Sequence, residues 1–98
     1  MNSRNQMPKI DLQNVGIRLA AIREASGLSS GDFARTVDID PSSYSKIELG
    51  KKSLNADMGF RVAERWGVSM DFLYRGSLNG LPENILNSLR QIENTNRR

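Results

Sequence analysis

Helix stops recur at short intervals along this chain, and their spacing limits the length of every element it can form. Glycines fall at 27, 50, 67 and 76, and short polar residues suited to helix N-caps fall between them. Such side chains accept hydrogen bonds from the orphan N–H groups of a first turn, and glycine closes a last one. No stretch between a cap and the next stop allows more than about four helical turns.

Between these marks the apolar residues keep a helical period. Asn14 is the expected cap of a first helix, with Val15, Leu19 and Ile22 at i, i+4 and i+7, stopped at Gly27. Ser29 caps a second helix of roughly two turns, with Asp32 completing a capping box and Phe33, Ala34 and Val37 on its apolar side. Asp38-Ile39 breaks that pattern. Asp40-Pro41 opens a third helix, with Tyr44 and Ile47 inward and Gly50 at its end. Asn55 caps a fourth, with the stripe Met58, Val62, Ala63 and Trp66, and Ser69 caps a short fifth holding Phe72 and Leu73. A sixth carries Leu81, Ile85, Leu86, Leu89 and Ile92. No segment alternates as a strand does, so the expected fold class is all-α. Residues 1–13 form a polar arm, 14–76 a five-helix domain, and 77–98 a linker with an amphipathic helix.

Composition removes most chemistry. At 98 residues the chain holds one small core. With no Cys and no His it has no disulfide, thiolate zinc site, imidazole base or His-based triad. No pair of carboxylates is spaced for acid–base work, and Asp32 and Asp40 serve as caps. An enzyme is therefore not expected, nor a metal, cofactor or small-molecule ligand. No apolar run approaches the ~18 residues of a membrane helix, and the N-terminus lacks the apolar core of a signal peptide. A cytoplasmic location is expected.

The net charge of +3 is small and spread out, with nine basic and eight acidic residues between 14 and 76. Charge therefore permits nucleic-acid binding without demonstrating it. Placement says more. With Tyr44 and Ile47 turned inward, the third helix presents Ser42, Ser43, Ser45 and Lys46 outward. Taken alone, those four are an ordinary solvated face. A helix of this kind also fits the ~12 Å major groove, where Lys can donate to guanine and Ser to several bases. Around it lie groups suited to phosphate: N–H groups near Ser29 and Ser30, others near Asn55, and the loop of Lys51, Lys52 and Ser53.

The stretches IRLAAIREASGLSSGDFA, SSYSKIELGKKS and RVAERWGVSMDFLYRG resemble the phage repressor and Cro family of helix-turn-helix proteins. The resemblance covers residues 14–76. It implies a lambda-repressor-like five-helix bundle that binds operator DNA as a dimer, with the third helix in the major groove. By position it implies base reading by Ser42 and Lys46 with Ser43 and Ser45 beside them, phosphate contact by Lys51 and Lys52, and a structural ion pair between Arg23 and Glu48. Ser30 stands where the family usually has Gln, Asp38 where a turn Gly is common, and Pro41 offers no N–H to a phosphate.

The reading is a sequence-specific double-stranded DNA-binding regulator, a repressor acting as a homodimer on a near-palindromic site. The other reading is a protein-binding module of the same fold, an antitoxin or adaptor, with a protein partner in place of DNA. Phe60 lies away from the stripe of the fourth helix and is a candidate for the dimer interface, together with Ile85, Leu86, Leu89 and Ile92. The stripe of the sixth helix equally suits packing within the chain. Arg18 faces either DNA backbone or solvent, and Arg4 and Lys9 could extend an arm toward a groove.

Overall fold

The computed structural model describes residues 6–96, and among these it contains six helices and no strand. They are α1 (Leu12–Ser26), α2 (Ser30–Thr36), α3 (Pro41–Glu48), α4 (Ala56–Trp66), α5 (Met70–Arg75) and α6 (Glu83–Asn96). Four N-caps fall where the sequence puts them: Ser29, Asp40, Asn55 and Ser69 each accept from the N–H three residues on.

The first helix differs. Asp11, not Asn14, is its cap, and accepts the Asn14 N–H at 3.1 Å. A carboxylate at the positive end of the helix dipole makes a stronger start than a neutral amide further on. Leu12 and Gln13, expected in the arm, are therefore helical. The capping box at α2 is also incomplete, because the Asp32 carboxylate pairs with Arg35 at 3.0 Å.

One apolar cluster fills the centre. It takes Val15, Leu19 and Ile22 from α1, Phe33 and Ala34 from α2, Tyr44 and Ile47 from α3, Val62 from α4, and Phe72 and Leu73 from α5. Fully burying each large side chain is worth about 1.5–3 kcal/mol. Phe33 lies at its middle. Its ring centroid is 5.2 Å from that of Tyr44 and 5.4 Å from that of Trp66, with the Trp66 ring stacked at 15°. The Arg65 guanidinium covers the indole at 4.2 Å.

The sixth helix folds back and packs against α1. Ile85 and Leu89 are only 4% and 6% exposed, and Ile92 is half-buried against the same cluster. These three residues, offered by the sequence for a dimer interface, instead complete the core of their own chain. The five-helix domain lacks a cover over α1, and α6 supplies it, so apolar area is removed from water without a second subunit.

Candidate nucleic-acid interface

The turn between α2 and α3 fixes where the third helix begins. Ile39 N–H bonds Ala34 O at 3.0 Å and Asp38 N–H bonds Arg35 O at 3.3 Å, the paired bonds of a Schellman motif. The residue at its left-handed position is Asp38, with φ 56°. Glycine takes this conformation without strain, while aspartate adopts it at a cost. Ile39 is buried, and Asp40 then caps α3 through the Ser43 N–H at 3.1 Å.

Pro41 at the first position of α3 removes an N–H that would have had no helical partner. Tyr44 and Ile47 are buried, and Ser42, Ser45 and Lys46 on the outer side are exposed. Ser43 is half-buried, and its hydroxyl accepts from Lys52 Nζ at 3.0 Å. The sequence therefore identifies the outward face of this helix correctly, and the loop lysine already touches it.

A second Schellman motif ends α3, with Gly50 (φ 78°) in the left-handed position. Gly50 N–H bonds Ile47 O at 3.0 Å and Lys51 N–H bonds Lys46 O at 2.9 Å. Lys51 is thereby tied through its backbone to the carbonyl of Lys46, so the basic loop and the polar helix face share one frame. Lys51, Lys52 and Ser53 are exposed. Tyr74 pins the far end of the loop, donating its hydroxyl to the carbonyls of Leu54 and Asn55 at 2.8 and 2.9 Å. The hydroxyl of Ser29 and the amide oxygen of Asn55 are occupied as caps of α2 and α4, and Ser30 is half-buried.

Behind the helix, Arg23 of α1 meets Glu48 in a fork. Nε and a terminal nitrogen each donate to one carboxylate oxygen at 2.8 Å. Tyr44 donates its hydroxyl to the same carboxylate at 2.6 Å. The hydrogen bond to Glu48 holds the Arg23 guanidinium above its ordinary pKa. Burial first, and the carboxylate second, push the Tyr44 phenol well above its own. The expected pair is present, and Tyr44 extends it to a triad that the sequence did not reveal.

Other candidates are placed differently. Arg18 is half-buried. It donates to the Leu73 carbonyl at 3.1 Å, and burial lowers its pKa against the opposing pull of Asp11 and Glu93. Lys9 is exposed, and Arg4 lies outside the described residues. Phe60 is 56% exposed on α4, and Leu86 is half-buried on α6. The sequence reading also missed Arg61. Its Nε donates to Val37 O at 2.7 Å and a terminal nitrogen to Asp38 O at 3.2 Å. Its place beside Val62, on the flank of an apolar stripe, was the only available signal.

This arrangement of two short helices across a tight turn is that of a helix-turn-helix. The helix-turn-helix domain model matches residues 16–78, and the chain belongs to that family. No curated protein matches the chain by sequence. Among solved structures, the clp gene regulator ClgR from C. glutamicum is similar with a TM-score of 0.56 at 17% identity. The likeness covers 86% of this chain and 94% of that one, and at this identity it shows the fold alone. No helix among the described residues is long and apolar enough to cross a membrane.

Proposed function

We propose that this protein is a transcriptional regulator that binds double-stranded DNA sequence-specifically, with α3 in the major groove. The carrying observation is the division of α3: Tyr44 and Ile47 are buried, while Ser42, Ser45 and Lys46 stand exposed beside Lys51 and Lys52. Lys46 and the serines read base edges. Lys51, Lys52, Ser53 and the start of α4 at Asn55 meet phosphates, with the N–H groups at the start of α2, near Ser29 and Ser30, on the other flank. Membership of the helix-turn-helix family and the regulator fold of ClgR support the same class.

The protein represses by occupancy, as a homodimer on a near-palindromic operator in the cytoplasm. Twofold symmetry doubles the read sequence without enlarging the chain. The exposed Phe60, with Leu86, is the dimer contact. The test is selection of bound duplexes from a random pool by the purified chain, followed by sequencing. An enriched site of two inverted halves about one helical turn apart is expected. Failure to enrich any sequence by a folded protein would favour the second reading, a protein-binding module. The exposed Leu49 (61%) and Phe60 support that alternative.

A further inference from the structure

We infer that Arg61 is the positioning residue of the reading helix, holding the α2–α3 turn in the shape that sets where α3 begins. This rests on the reading of α3 as the helix that contacts DNA.

A non-glycine residue at φ 56° persists only where its surroundings over-determine it. The Schellman bonds satisfy the turn's N–H groups, but they leave the carbonyls of Val37 and Asp38 without partners from α2. Arg61 takes both, reaching across from α4 to a carbonyl 24 positions back along the chain at Val37. Its fork is planar, so two bonded carbonyls fix their relative orientation, which a single donor could not do. Its positive charge also sits at the negative end of the α2 dipole.

The clamp is two residues from Asp40, whose carboxylate and carbonyl accept from Ser43 and Tyr44. Any shift in the turn moves that cap, and Ser42 and Ser43 with it. At the other end of the helix Arg23 grips Glu48. An eight-residue helix is thus anchored at each end by an arginine from a different neighbour, α4 at its start and α1 at its finish. Between the anchors lie Ser42, Ser43, Ser45 and Lys46. Arg61 hydrogen-bonds to none of these, so its effect on reading is indirect.

The test uses the full chain with Arg61→Ala, Arg61→Lys, Asp38→Gly and the Asp38→Gly/Arg61→Ala double variant. Affinity is measured for the duplex selected from the random pool and for unselected random duplex. Arg61→Ala is expected to lower the ratio of the two roughly ten-fold, the scale of one good base contact. Affinity for random duplex and its salt slope stay near those of the parent, because phosphate contacts carry them. In the Asp38→Gly background the same change costs little, since glycine holds the turn unaided. Arg61→Lys falls between, and it supplies the measurement if the alanine variant does not fold.

An equal loss of selectivity in both backgrounds, or an unchanged ratio alongside a lowered melting temperature, overturns the assignment. If the parent chain binds neither duplex, the DNA reading fails separately. Amide exchange then decides on the clamp. Faster exchange at Ser43 and Tyr44 in Arg61→Ala, restored by Asp38→Gly, upholds it, and unchanged exchange refutes it.

Discussion

Gly16 of α1 lies directly against the main-chain carbonyl of Glu48 in α3, and a β-carbon on Gly16 would come within 2.8 Å of the carbonyl carbon. The two helices cross there with no side chain between them. Gly16→Ala must therefore part α1 from α3, and the obstacle is backbone, which cannot rotate away. Overpacking of this kind costs about 2 kcal/mol. In a domain of this size that lowers the melting temperature by roughly ten degrees. Calorimetry of the variant is the check, and unchanged stability would mean that the helices do not meet at that point.

Removing Glu48 leaves two partners behind, the buried Tyr44 and the part-buried Arg23. Arg23 loses both bonds of its fork and Tyr44 loses its acceptor. Glu48→Ala is expected to destabilise by about 3 kcal/mol, the low end for breaking a buried pair, because Arg23 and Glu48 keep some contact with solvent. Glu48→Gln keeps one acceptor oxygen and should cost less. Urea unfolding ranks the two, and a Glu48→Gln variant as stable as the parent would remove the charge from any role in the triad.

The helix face and the loop separate in binding measurements. Lys46→Ala should relax sequence preference if that exposed lysine reads base edges as proposed. Lys51→Ala with Lys52→Ala should weaken binding to every sequence and reduce the salt slope by about 2, or about 1 per lysine. Lys52 adds a smaller effect on preference through its bond to Ser43. Titration of binding against salt checks both, and a double variant with the parent slope would exclude the loop from phosphate contact.

Both tyrosines ionise late. Tyr44 and Tyr74 are each raised above the ordinary 10.0, in both cases chiefly by burial. The fold therefore binds their protons more tightly than the unfolded chain does. That contribution to stability is intact below pH 10 and is lost as pH rises from there toward the folded values. Tyrosinate absorbance should appear at higher pH in the native protein than in denaturant, with unfolding midpoints falling over the same range. Coincident titrations would show that neither phenol is held as described.

Local chemistry made much of this molecule readable in advance. Ser29, Asp40, Asn55 and Ser69 act within three residues of themselves, and Tyr44 and Ile47 repeat at helical spacing, so caps and inward faces follow from short stretches of chain. The outward face of α3 follows by subtraction. The contacts that escaped notice act across the fold. Arg61 bonds carbonyls 23 and 24 positions away, Tyr74 reaches back to Leu54 and Asn55, and Arg18 reaches 55 residues forward. No periodicity encodes such contacts. The stripe of α6 was ambiguous for a related reason, since a helix that covers its own chain and one that covers a copy bury the same residues.

The stacking of Trp66 on Phe33, and of Phe33 against Tyr44, has a practical outcome. The chain carries one tryptophan, and it sits two aromatic contacts from the helix that faces outward. Its emission is thus an internal lamp for the seating of that helix, needing no attached dye. Loosening of the third helix from the bundle will register as a change in indole colour or brightness before the chain as a whole comes apart.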